Sequence, residues 1–110
     1  MAMMNALLLK ECSKLEYTQV PVPEIEKDEV LVNIKAVAVC GSDVHGYDGS
    51  SGRRRPPLVM GHEASGVLTK IGENVKGYAI GDRVTFDSTL YCGECDYCKQ
   101  GLINLCDNRR

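Results

Sequence analysis

Apolar side chains along this chain come in short runs or in alternation with polar ones, and Pro, Gly, Asn and Asp break the runs before any reaches helical length. The pattern predicts strands at 6–10, 15–20, 29–39, 66–71 and 82–86. In the third of these, Val30, Val32, Ile34, Ala36 and Ala38 share one face, while Leu31, Val37 and Val39 leave parts of the other face apolar. A strand apolar on both faces is expected at the centre of a sheet. Pro21 and Pro23 cannot donate ladder hydrogen bonds and mark a connection, as do 72–74 and 79–82. Helix is scarce, limited to a short turn near 42–47. The stretch SSGRRRPP at 50–57 reads as a solvated cationic loop, and no internal repeat is present.

A length of 110 residues suits one domain. Lys and Arg total 13 against 15 Asp and Glu, a formal charge of -2, so no basic face is available to a nucleic acid backbone. The apolar runs, such as residues 6–9 and 36–40, are far short of the roughly 20 residues of a membrane span. A protein of the cytoplasm, bound neither to nucleic acid nor to membrane, is the expectation. With five tyrosines, one phenylalanine, no tryptophan and eleven glycines the core is lean, and a bound metal would add stability that packing lacks.

Four of the six cysteines lie close together at the C-terminal end. Cys92, Cys95, Cys98 and Cys106 are spaced C-x2-C-x2-C-x7-C, so two tight turns and one longer loop can gather four thiolates around a point. Four sulfurs suit tetrahedral zinc, and a site ligated entirely by protein is structural, its binding energy part of folding. The first three cysteines also match the opening of a ferredoxin run. There, however, the fourth cysteine follows after three residues and precedes a proline, unlike Cys106. Disulfides are the third option and need an oxidising compartment.

A second constellation joins Cys40, directly after the apolar strand, to His62 and Glu63 beyond the loop. Taken singly, a cysteine after a strand is a small core residue and a histidine a satisfied polar group. Taken together, one thiolate, one imidazole and an additional protein ligand would hold zinc with a fourth position open, as catalysis requires. Ser42 also suits a helix N-cap and His45 a surface position. Cys12 has no partner motif.

In four places the chain resembles the N-terminal, GroES-like domain of the zinc-dependent medium-chain alcohol and polyol dehydrogenases, above all the sorbitol and threonine dehydrogenase members. These are the run from Cys40 through Gly41, Ser42, Asp43 and Val44 to His45, the run from Gly61 through His62 and Glu63 to Gly66 with Gly72 and Val75 following, the run Gly81 to Val84, and the four-cysteine lobe. The resemblance implies a mainly β fold, a partly open GroES-like barrel with short helices and a zinc lobe at 88–106. It implies that Cys40, His62 and Glu63 bind the catalytic zinc, with Glu63 a direct or alternate ligand, that Asp43 orients His62, and that Ser42 and His45 relay a proton. The implied reaction oxidises a small alcohol or polyol to a carbonyl by hydride transfer to NAD(P). The alternative is a GroES-like binding module that keeps the cysteine lobe as a staple and does no chemistry.

Relatives of this kind continue into a Rossmann domain, and the chain contains no G-x-G-x-x-G turn of its own. A further ligand of the catalytic zinc, cysteine or glutamate in relatives, is also expected beyond Arg110, which makes a surface for the missing domain or for a homo-oligomer a further expectation. The 110 residues assayed alone should therefore show no measurable turnover of NAD with polyols, because neither hydride acceptor site nor closed cleft is assembled. Steady NADH production by the purified chain would contradict this.

Overall fold

The computed structural model describes residues 2–52 and 55–109, so Arg53 and Arg54 of the predicted cationic loop lie outside the described residues. The first two strands, β1 (Met3–Glu11) and β2 (Lys14–Pro21), form an antiparallel hairpin in which Leu9 faces Leu15. At its turn, Ser13 adopts φ 62, a left-handed conformation unusual for a side chain larger than glycine's. The turn is held from outside, since Ser13 donates its N–H to the Tyr47 carbonyl at 2.6 Å and the Tyr47 hydroxyl donates to the Ser13 carbonyl at 3.0 Å.

β3 (Val30–Ala38) leads into α1 (Gly41–Asp48), and a two-residue strand, β4 (Leu58–Val59), adds to the free side of β1. The second sheet consists of β3, β5 (Glu63–Ile71) and β6 (Arg83–Thr85), antiparallel in the order β3-β5-β6. The predicted strands are all present, but the central position is not where alternation placed it. β5 pairs on both sides while β3 lies at the edge, with Ile34 and Val37 exposed. The two apolar faces of β3 do not report a covered strand. Residues of both sets, among them Val32, Ile34 and Val37, instead contribute to the wall of an apolar cavity of about 1050 Å³ between the sheets, together with Leu7 and Tyr17 from the first sheet. The barrel is thus open, and burial among the apolar residues described is confined to Ala6, Leu9, Leu68 and Cys106, of which Leu9 and Cys106 are fully buried.

Two glycines of the 61–75 region mark close backbone approach. A Cβ on Gly66 would stand 2.2 Å from the Asn33 carbonyl oxygen, and one on Gly72 2.3 Å from that of Lys27. Both therefore have a packing role: Gly66 lets β5 close against β3, and Gly72 lets the turn after β5 donate its N–H to the Glu29 carbonyl at 2.8 Å. No helix among the described residues is long and apolar enough to cross a membrane. Gly66→Ala should cost about 1–3 kcal/mol through overpacking at the sheet's centre, read as a lower midpoint of chemical denaturation.

Candidate catalytic centre and cysteine lobe

Antiparallel pairing builds the first site. Ala38 at the end of β3 faces Glu63 at the start of β5, so the residues just beyond each strand end, Cys40 and His62, meet at the same edge of the sheet. Their ligand atoms and one carboxylate oxygen of Glu63 all lie within 4.8 Å of one another. A thiolate, an imidazole nitrogen and a carboxylate oxygen are the donor types that zinc takes, so the chemistry of this set fits the ion.

Asp43 holds the arrangement from behind. It is the buried charged residue among those described, 8% exposed, and both of its oxygens are engaged. Oδ2 accepts the N–H of Cys40, the residue capping α1, at 3.0 Å, and Oδ1 lies 3.1 Å from His62 Nδ1. The carboxylate thus satisfies a helix N-terminal amide, where negative charge is favoured, and orients the ring. An ionised carboxylate only accepts, so Nδ1 carries the imidazole proton and Nε2 presents its lone pair to the ligand cluster. Ser42 Oγ stands 3.3 Å from Cys40 Sγ and 3.3 Å from His62 Nε2. Its hydroxyl is therefore seated at the donor set and is more than a cap on the helix. His45 lies on the exposed side of α1 with Nδ1 3.1 Å from Ser50 Oγ. Beside His62 and Glu63 a cleft of about 610 Å³ opens to solvent, lined also by Thr85, Asp87 and Ser88.

The C-terminal lobe brings its four sulfurs within 4.8 Å of one another. Two short helices, α2 (Asp96–Lys99) and a 3-10 turn at Ile103–Leu105, carry the chain around them. Cys92 Sγ accepts backbone N–H groups from Glu94 and Cys95, each at 3.3 Å, and Cys106 Sγ accepts those of Cys92 and Asn108, also at 3.3 Å. Sulfur separations of 3.6 Å for Cys92 to Cys106 and 4.0 Å for Cys92 to Cys98 leave the thiols unbonded to each other. The amides of Glu94 and Cys95, with Asn108, pull the Cys92 thiol down to about 6, the Glu94 amide contributing most. Backbone donation from Cys98 and Asp107 lowers Cys95, whereas desolvation pushes Cys98 up to about 12. Such a cluster favours thiolate where amides point at sulfur, but gathering all four as thiolates calls for a central cation. The donor set fits tetrahedral zinc.

Every residue singled out in the sequence is thus placed: Cys40, Ser42, Asp43, His62 and Glu63 at one edge of the sheet, Cys92, Cys95, Cys98 and Cys106 in the lobe, and His45 on the flank of α1. Three contacts were not anticipated. They are the second grip of Asp43 on Cys40, the Asn108 amide on Cys106, and the engagement of His45 by Ser50, the first residue of the stretch whose sequence reads as a solvated cationic loop. The Asp48-Gly49-Ser50 triplet, a short polar side chain two residues before a backbone donor, is the signal that marks this last turn.

An open β scaffold with a cysteine, histidine and glutamate set at one sheet edge and a cluster of four cysteines toward its C-terminal end is the arrangement of a zinc-binding dehydrogenase domain. The chain belongs to the alcohol dehydrogenase GroES-like domain family, which matches residues 26–110. It is 42% identical over 98 residues to D-arabitol-phosphate dehydrogenase of Enterococcus avium, covering 88% of this chain and 28% of that protein. To L-threonine 3-dehydrogenase of Bacillus subtilis it is 43% identical over 94 residues, covering 83% of this chain and 27% of that one. A zinc-binding dehydrogenase of Sinorhizobium meliloti, solved bound to NADP, superposes with a TM-score of 0.90 at 35% identity, covering 100% of this chain and 32% of that one. The chain accordingly spans about a third or less of the length of these relatives.

In metal-free protein, thiolate at Cys92 should form as pH rises through about 6 while Cys98 stays a thiol until about 12. Brief alkylation at pH 7 followed by peptide mass mapping should label Cys92 well ahead of Cys98, and equal labelling would contradict the amide geometry.

Proposed function

We propose that residues 1–110 act as the zinc-holding catalytic domain of an NAD(P)-linked alcohol or polyol dehydrogenase, with 88–106 as its structural zinc lobe. The observation that carries this is the meeting of Cys40, His62 and Glu63 within 4.8 Å, with the Ser42 hydroxyl against the first two. Cys40, His62 and Glu63 would hold the catalytic ion, and Cys92, Cys95, Cys98 and Cys106 the structural one. Zinc, when bound at the first site, supplies Lewis-acid polarisation of an alcohol and so eases loss of its proton. The rest is work of this chain's side chains. Asp43 fixes the ring of His62 and keeps Nε2 aprotic. Ser42 Oγ stands at the donor set, where it can take up the proton leaving a substrate hydroxyl, and His45, three residues on and so on the same face of α1, passes that proton to solvent.

The substrate class rests on the relatives, which are named for D-arabitol phosphate and L-threonine. The polar cleft beside Glu63, with Thr85, Asp87 and Ser88 on its wall, suits a substrate with several hydroxyls. A nucleotide-binding domain supplied by a further stretch of chain is part of the proposal, as is action in the cytoplasm. A purely structural module would require none of the Cys40 and His62 apparatus.

Metal analysis separates the two. The intact protein should bind two zinc ions per chain, Cys40→Ala should lower this to one while the lobe stays loaded, and Cys106→Ser should empty the lobe and lower thermal stability as well. One zinc in the intact protein, insensitive to Cys40→Ala, would remove the catalytic assignment. In the complete dehydrogenase, Ser42→Ala should lower kcat about 10²- to 10⁴-fold with metal content unchanged.

A further inference from the structure

The helix that carries Ser42 has little apolar hold on the rest of the molecule. α1 is 8 residues long, fewer than the roughly 12–15 that an isolated helix needs to persist in water. Asp43 and Gly46 are its buried residues, while Val44 and Tyr47 are exposed. Its place is therefore set by polar contacts at its two ends. At the first turn, Asp43 joins the Cys40 amide to the His62 ring at 3.0 and 3.1 Å. At the last turn, Tyr47 is engaged twice by one residue of the β1–β2 turn: the Ser13 N–H donates to the Tyr47 carbonyl at 2.6 Å, and the Tyr47 hydroxyl donates to the Ser13 carbonyl at 3.0 Å. Tyr47 follows Asp43 by four positions, so the two side chains leave the same face of the helix one turn apart.

The hairpin turn is shaped to this contact. Among the described residues Ser13 is the non-glycine with positive φ, at 62, a conformation that persists in a serine where its surroundings fix it. Turn and helix end also touch at Cys12. A Cβ on Gly49, the left-handed residue that closes α1, would stand 2.7 Å from Cys12 Sγ, so the absence of a side chain lets the two segments come this close. One bond through backbone and one through a side chain fix direction as well as distance, whereas a two-turn helix held at Asp43 alone could pivot there. Ser42, beside that pivot and about 7–8 Å along the axis from Tyr47, has its hydroxyl 3.3 Å from both Cys40 Sγ and His62 Nε2, a setting that a small rotation of the helix would undo. We propose that Tyr47 is a positioning residue: its clasp with Ser13 holds the last turn of α1 against the β1–β2 hairpin and so keeps the Ser42 hydroxyl at the donor set. The clasp stands on contacts within the chain, and its consequence for catalysis rests on the proton-relay role given to Ser42.

A double-mutant cycle in the complete dehydrogenase separates positioning from a general loss of structure. Tyr47→Phe keeps the ring and removes the donor. It should lower kcat about 3- to 10-fold with KM and zinc content unchanged, short of the roughly 10²-fold that a full 1 Å misplacement costs, because the backbone bond to Ser13 remains. In a Ser42→Ala background the same substitution should change kcat less than about twofold, since the hydroxyl it positions is already gone. Hydrogen exchange followed by mass spectrometry supplies a readout that does not depend on turnover: in Tyr47→Phe, peptides covering the 12–14 turn and residues 46–49 should exchange faster, while those of β5 keep their rate. Undiminished kcat in Tyr47→Phe, an equal loss in both backgrounds, or unchanged exchange at the turn and the helix end overturns the proposal. Undiminished kcat in Ser42→Ala alone would instead refute the relay role of Ser42, and the exchange result would then decide the clasp by itself.

Discussion

The two-handed grip of Asp43 is the interaction on which the site depends. One carboxylate, almost fully buried, binds the amide that opens α1 and the ring that follows the Gly61 turn, and so ties a helix end to a strand end. Burying a charge is unfavourable unless both of its oxygens are satisfied. Here the helix N-terminus and the imidazole N–H satisfy them, and in doing so they set the distance between Cys40 and His62. Were the carboxylate replaced by an apolar group of similar size, the segments would still adjoin through β3 and β5, but the ring would lose the acceptor behind Nδ1.

That grip acts within a scaffold that has little packing to spare. The described core is small, the two sheets leave an apolar cavity between them, and large side chains such as Tyr17, Val39 and Ile80 are exposed. Rigidity has to come from elsewhere. Backbone contacts supply part of it, at Gly66 and Gly72 where strand and turn touch without room for a Cβ, and at the Ser13 turn that clasps Tyr47 and holds the far end of α1. The cysteine lobe adds four sulfurs within 4.8 Å of one another, with those of Cys92 and Cys106 held by backbone amides. One helix, α1, thus links a hairpin turn at one end with the Cys40 and His62 edge at the other, so a disturbance at either reaches the same few side chains.

Much of this was legible in the chain's own pattern. Alternation and turn residues located the main strands, and the spacing of the cysteines announced that four sulfurs would gather, because ligand spacing is a local property of the backbone. Family likeness supplied the roles for Ser42, Asp43 and Glu63, and the geometry then put Ser42 against both Cys40 and His62. The misplacement of β3 has a definite cause. Apolar residues on both faces do not by themselves place a strand at the centre of a sheet, and β3 stands at the edge with Ile34 and Val37 exposed beside an open cavity.

By itself, then, the sequence determined which side chains could act and how far apart they stand along the chain: the thiol after the third strand, the histidine and glutamate beyond the loop, and the four cysteines within a few turns. These follow from residue chemistry and local spacing. Only the tertiary structure decided which of them meet, because the register that sets Ala38 against Glu63 arises from pairing across more than twenty residues of intervening chain. The same holds for the direction of the His62 imidazole. A histidine carries its two nitrogens wherever it stands, and which one holds the proton is settled by the oxygen that folding places behind it.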